Sequence, residues 1–219
     1  VDLLLEIVMG PLDFTNMKAE TYFGQLGSLL LETQVTQSGG AALSLEEGMA
    51  RAAQMVLSLV PAKAGASEAE GSLPKAMIIG NGGSAAIASH IQNDMCKSVG
   101  VPTMVFNEPA LLTALANDDG YDTAFRQMVE MWAGPDDLLM AISSSGKSAN
   151  ILGAVEAACS RGCRVITFSG FSPDNSLRGM GDLNFHISSD SYGLVEVAHM
   201  ALAHYVTDSA MHNIDKGRN

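Results

Sequence analysis

Two pairs of residues in this chain have the side chains and the spacing of metal ligands. His90 and Asp94 are four residues apart in a segment expected to be helical, so their side chains lie on one face, one turn apart. Glu196 and His204 are eight residues apart in a second helical segment, about 80° around its axis, and share a side. Two imidazoles and two carboxylates suit zinc, and also manganese or iron. A surface pair and a hydrogen-bonded core histidine are the plainer alternatives, and the spacing alone leaves them open.

Two short loops rich in glycine and serine could bind an anion. Residues 80–84 read GNGGS and lie between an apolar run and a helical segment, where the chain must turn tightly and leave backbone N–H groups free. Residues 143–148 read SSSGKS and combine four hydroxyls with their N–H groups in a similar position. Both loops predict phosphate binding, although a simple strand-to-helix connection and a helix N-cap at Ser148 are alternatives.

The same loops match nucleotide-binding motifs less well. Gly80, Gly82 and Ala85 satisfy the GxGxxA dinucleotide fingerprint, but Glu108 is a poor candidate for the acid that would bind the ribose. The GKS triplet at 146–148 lacks the glycine that a nucleotide P-loop requires five residues before its second glycine, where Ala141 stands. The hypothesis of a nucleotide-dependent oxidoreductase therefore rests on the weak dinucleotide fingerprint alone.

Alternating strands and helices must position these residues. Apolar runs predict five strands, at 76–79, 103–106, 138–142, 165–168 and 183–187. Apolar residues at helical spacing predict helices around these strands, at 19–32, 45–59, 109–116, 121–132, 149–160 and 194–209. This alternation predicts a doubly wound α/β fold with a mostly parallel five-stranded sheet and helices on both faces. The first two helices, separated by the breaker at 37–40, predict an N-terminal helical hairpin.

Composition limits the classes of partner. The 219 residues fit one α/β domain at 17–219, with residues 1–16 as an N-terminal extension. A charged fraction of only 16% predicts a surface covered by subunit contacts, hence an oligomer, and a net charge of -12 disfavours nucleic-acid binding. Three cysteines without a CxxC pair fit a reducing cytoplasm, and no apolar run is long enough to cross a membrane.

The two loops, in this order and with Asn117 and Asp118 between them, resemble the sugar isomerase (SIS) superfamily, and in particular the sedoheptulose 7-phosphate isomerase (phosphoheptose isomerase) family. The resemblance implies a SIS-type fold and a homotetramer with active sites at subunit interfaces. It also implies the conversion of sedoheptulose 7-phosphate to D-glycero-D-manno-heptose 7-phosphate, a step toward the heptoses of bacterial surface polysaccharides such as lipopolysaccharide or capsule.

The resemblance also assigns site residues. Those expected to bind the sugar phosphate or shape its site are Asn81, Gly82, Gly83, Ser84, Asn117, Asp118, Ser143, Ser144, Ser145 and Ser148. The family's metal-binding members carry His, Glu, Gln and His at the positions of His90, Asp94, Glu196 and His204, which implies a divalent metal, zinc by preference. The family's catalytic base corresponds to Asp94, and His204 to its partner acid or base. The shorter Asp94 side chain departs from the family, and misplacement by about 1 Å can cost on the order of a hundredfold in rate.

A second hypothesis from a different class is a non-catalytic SIS protein that binds a sugar phosphate or a protein. Some relatives of this kind act as adaptors for replication initiators and have lost the catalytic histidine. His204 is present here, which favours the enzyme.

Overall fold

A seven-stranded sheet forms the centre of the molecule. The computed structural model describes residues 18–61 and 73–218, so the predicted extension at residues 1–16 lies outside the described part. The strands are β1 (Gln34–Gln37), β2 (Ala42–Leu43), β3 (Ala76–Gly80), β4 (Thr103–Val105), β5 (Leu138–Ser143), β6 (Arg164–Gly170) and β7 (Leu183–Ile187). Their order is β2-β1-β7-β6-β5-β3-β4. Strands β3 to β7 are parallel, which confirms the predicted mostly parallel sheet, and β1 runs antiparallel to both of its neighbours.

Helices cover both faces of this sheet. They are α1 (Ala19–Leu31), α2 (Leu45–Leu57), α3 (Gly83–Asp94), α4 (Pro109–Asp118), α5 (Tyr121–Trp132), α6 (Ala149–Ser160) and α7 (Tyr192–Arg218). Side chains of α1, α2, α3 and α7 pack with one face, and those of α4, α5 and α6 with the other. Neighbouring strand residues such as Ile78 and Ile79 belong to opposite layers, and both are fully buried. Continuous apolar runs are therefore what these central strands require. Among the described helices, none is both long and apolar enough to cross a membrane.

The connection between α1 and α2 differs from the prediction. The segment read as a simple breaker closes a β-hairpin, in which Val35 pairs with Leu43 and Thr36 with Ala42. Gly39 and Gly40 both adopt a positive φ, +83° and +82°, which lets the chain reverse within a few residues. The hairpin adds two antiparallel strands to the sheet edge. The helices on either side of it, α1 and α2, both contact α7.

The order of the parallel strands fixes where a ligand can bind. From β3 the chain crosses to β4 on one side, then returns to β5 on the other side of β3. The connections therefore diverge between β3 and β5, the topological switch point at which doubly wound folds leave a crevice beyond the strand ends. The two loops singled out in the sequence follow these two strands.

Candidate active site

A cleft of about 120 Å³ opens between the turn after β3 and the loop after β5. Its walls are formed by Asn81, Ser84, Ile142, Ser143, Ser144, Ser145, Ser148, Tyr192 and Glu196. Gly82 adopts a φ of +54° in the turn, a conformation that glycine takes without strain. The side chains of Asn81 and Asn150 exchange hydrogen bonds of 3.0 and 2.9 Å, which tie the turn to α6. The Tyr121 hydroxyl donates to the Asn81 Oδ1 at 2.7 Å.

The serine loop, residues 143–148, faces this cleft. Ser148 occupies the N-cap position of α6, but its hydroxyl makes no capping hydrogen bond and lies 3.5 Å from that of Ser143. Gly146 has a φ of +61°, and a side chain there would overlap the Asn175 amide. None of the residues that line the cleft is basic, and Lys147 is exposed outside it. Hydroxyl and N–H donors are therefore the groups available to an anion in this loop.

Three potential metal ligands meet between α3 and α7. The Asp94 Oδ2 lies 3.4 Å from the His90 Nε2 and 3.3 Å from the His204 Nδ1. Donor atoms of all three residues lie within 4.8 Å of one another, and each side chain is partly exposed. A π-helical turn, Met95–Val99, follows Asp94 directly; such turns are often found at functional sites. This group can hold a cation through two nitrogens and an oxygen, or move a proton between carboxylate and imidazole.

The structure places the fourth predicted ligand elsewhere. The Glu196 carboxylate lies against Gly83 at the start of α3, so closely that a side chain at position 83 would overlap it. Eight residues of α7 separate Glu196 from His204, roughly 12 Å along the helix axis, and this rise keeps Glu196 out of the group. Glu196 instead lines the cleft, where its negative charge disfavours an anion at the α3 end. An anion is therefore better accommodated on the serine-loop side.

Asn117 and Asp118 are also not among the residues that line the cleft. Both are exposed at the end of α4, where the Asn117 Nδ2 donates to the Asp118 Oδ1 at 2.7 Å. The sequence analysis missed Tyr121, Asn150 and Tyr192, which contact Asn81 or line the cleft. Asn150 gave a usable signal, since it lies two residues after the serine loop and is a polar residue in an apolar helix.

Comparisons with known proteins agree with this architecture. A family model described as the SIS domain matches residues 40–170. The phosphoheptose isomerase of Chlorobium phaeobacteroides is 34% identical over 174 residues, which cover 75% of this chain and 75% of the relative. That of Geobacter sulfurreducens is 34% identical over 140 residues, or 61% of this chain and 74% of the relative. The structure of phosphoheptose isomerase GmhA from Neisseria gonorrhoeae superimposes with a TM-score of 0.70 at 26% identity, over 87% of this chain and 96% of that chain. The chain therefore belongs to the SIS domain family and, within it, to the phosphoheptose isomerases.

Proposed function

We propose that this chain is an aldose–ketose isomerase that converts sedoheptulose 7-phosphate to D-glycero-D-manno-heptose 7-phosphate. One observation carries the proposal: a cleft lined by serine hydroxyls and a carboxylate–imidazole group lie along the same pair of helices. Gly83 borders the cleft beside Glu196, and His90 lies seven residues further along α3, roughly 10 Å by the helix rise. A phosphate held in the cleft would leave the other end of an extended sugar within reach of Asp94 and His204.

The chemistry requires removal of a proton beside the carbonyl and its return to the neighbouring carbon. Asp94 is the proposed base, because its partly exposed carboxylate contacts two imidazoles. His204 is the proposed partner, since its Nδ1 contacts the same carboxylate oxygen and can give or accept a proton. Both groups must lie close to the reacting carbons, because misplacement by about 1 Å can cost on the order of a hundredfold in rate.

A divalent metal, zinc by preference, is the proposed cofactor. His90, Asp94 and His204 supply two nitrogens and one oxygen, a donor set that fits zinc with an open coordination position. Manganese and iron accept the same donors. When bound there, the cation would polarise the substrate carbonyl and stabilise the negative charge that develops on its oxygen.

The proposed role is the supply of heptose for bacterial surface polysaccharides, lipopolysaccharide or capsule, in the cytoplasm. Cys96, Cys159 and Cys163 are all free thiols, as expected in a reducing compartment. The net charge of -12 disfavours a nucleic acid, whereas a small phosphate ester can still be held by local hydroxyl and N–H donors.

The test is an assay of the metal-replete protein on a panel of five-, six- and seven-carbon ketose phosphates, with aldose formation as the readout. Turnover with the seven-carbon substrate at the highest kcat/KM is expected. Phosphate-sugar binding without turnover on any member would instead support the non-catalytic binding protein.

Phosphate anchoring by the serine loop gives a direct prediction. Ser145→Ala should weaken binding of inorganic phosphate about tenfold, because a hydroxyl donor of the cleft is lost. Lys147→Ala should change it by less than about threefold, since this exposed ammonium lies outside the cleft lining and is screened by water. Calorimetric titration with phosphate measures both, and the reverse ranking would contradict the assignment of the loop.

The proposed assembly is a homotetramer. Phe23 and Leu31 on α1 are 66% and 80% exposed, and an apolar groove of about 280 Å³ lies between α1, α2 and α7. Tyr205, the residue after His204 on α7, lines this groove. Burying such surface stabilises an oligomer. Light scattering at micromolar concentration should give a mass of four chains; a monomer would count against the assembly.

A further inference from the structure

One peptide unit connects the buried core to the serine loop. It joins Ser169 to Gly170 at the end of β6. Its carbonyl oxygen lies 3.0 Å from the His199 Nε2, and its N–H donates to the Ser144 carbonyl oxygen, also at 3.0 Å. A side chain at position 170 would come within 2.7 Å of Val195, so glycine allows β6, α7 and the loop to approach this closely. Both polar groups of a single peptide are thus used to join three elements.

The Ser144 carbonyl that accepts this hydrogen bond belongs to the Ser144–Ser145 peptide unit, whose other polar group is the N–H of Ser145. In a trans peptide the carbonyl and the N–H point in opposite directions, and no cis peptide is found among the described residues. Holding the Ser144 carbonyl against Gly170 therefore turns the Ser145 N–H away from β6. Within the described chain this N–H donates to no backbone acceptor, and Ser145 lines the cleft.

His199 is suited to hold this arrangement. Its side chain is fully buried, and burial lowers the pKa of His199 to about 4, so the ring is neutral near pH 7. A carbonyl oxygen only accepts hydrogen bonds, so the proton of the neutral ring must lie on Nε2. The other nitrogen, Nδ1, has no hydrogen-bond partner among the described residues, so the contact with Ser169 is the one polar interaction recorded for the ring.

We propose that His199 is a positioning residue for the substrate phosphate. It fixes the Ser169–Gly170 peptide, which fixes the Ser144–Ser145 peptide, so that the Ser145 N–H meets a phosphate oxygen in the cleft. Two aligned peptide dipoles lie between the imidazole and the anion and favour negative charge there. The inference rests on the proposed function, because that function assigns the phosphate to the serine loop.

The test compares His199→Leu with His199→Gln. Leucine leaves the Ser169 carbonyl without its donor, and we expect the Kd for inorganic phosphate and the KM for the sugar phosphate to rise about tenfold, with kcat within about threefold. Glutamine carries an N–H that can reach the same carbonyl, and it should restore most of both values. A change confined to kcat, or equal losses in the two variants, would overturn the inference.

His186→Leu is the matched control. His186 is equally buried, and its Nδ1 lies 3.4 Å from the Ser169 hydroxyl rather than from its carbonyl. This variant should change the melting temperature but leave phosphate affinity within about twofold. If it weakens phosphate binding as much as His199→Leu does, the effect is general to the core and the inference is wrong. Should His199→Leu not fold, His199→Asn replaces it, because the shorter amide cannot span the distance that glutamine spans.

The same measurements separate the inference from the proposed function. Phosphate affinity that depends on His199, in a protein without isomerase activity, would support the positioning role and refute the enzyme. Isomerase activity whose KM does not respond to His199→Leu would refute the positioning role and leave the enzyme standing. A wild-type protein that binds neither inorganic phosphate nor any sugar phosphate of the panel would refute both.

Discussion

Replacing Asp94 by asparagine is expected to lower kcat for aldose formation by at least about a hundredfold, while the Kd for inorganic phosphate stays within about threefold. The substitution keeps the shape and an oxygen donor but removes the anionic base from between His90 and His204. The proposed phosphate cleft lies at the opposite, N-terminal end of α3 and is not altered, so the loss should fall on the chemical step. Steady-state kinetics and calorimetry on one preparation measure both quantities.

Metal content must be measured with the rates, because an amide is a weaker ligand than a carboxylate. Activity that returns when the variant is saturated with zinc would assign Asp94 to metal binding rather than to proton transfer. Asp94→Glu is the informative partner variant: retained or raised turnover means that the pocket accepts the longer carboxylate. Glu130→Gln, which removes an exposed carboxylate paired with Arg126 on α5, is the control for a change of charge. Unchanged isomerisation in Asp94→Asn would place the base elsewhere.

The strands, turns and helix face that position the site could be predicted because the sequence patterns that specify them are local. Strands buried on both faces must be continuously apolar, as β3 and β5 are, and the small residues that follow them allow tight turns. His90 and Asp94 lie on one helix face at a spacing of four, which needs no tertiary information. The contact between Asp94 and His204 joins residues 110 positions apart, and it was expected through the family resemblance rather than from spacing.

What could not be predicted depends on distances along and between elements. Glu196 and His204 share a side of α7, as the helix repeat indicates, but the rise per residue separates them by roughly 12 Å. Glu196 therefore lies against Gly83 and not beside His90, Asp94 and His204. The Ser169–Gly170 peptide reaches Ser144 only because β5 and β6 pair with Ser143 opposite Ser169, a register that no local pattern specifies. The β1–β2 hairpin was missed because its strands are only four and two residues long.

Acidification from pH 6.5 to pH 4 is expected to destabilise the fold through two buried histidines. Burial lowers the pKa of His199 to about 4; burial, followed by the charge of Arg178, lowers the pKa of His186 to about 4. In this window the unfolded chain binds protons that the native state excludes, so the free energy of unfolding falls as the pH falls. Above pH 6.5 the two imidazoles are neutral in the native and in the unfolded chain, and below pH 4 they are protonated in both. Their contribution to the pH dependence of the free energy of unfolding is therefore confined between these values.

Each histidine contributes up to about 3 kcal/mol to this loss, a large part of the stability of a typical domain. Urea unfolding at half-unit intervals between pH 7.5 and pH 4.5 should therefore show a steep decline in the midpoint below pH 6.5. His199→Gln removes one of the two titrating groups while keeping a buried donor, so it should lower the slope by about half. The same variant at pH 7.5 reports its intrinsic cost, which separates titration from packing. A midpoint that does not change down to pH 5, or a slope equal in the variant and the wild type, would mean that these imidazoles accept protons in the native state as readily as in the unfolded chain.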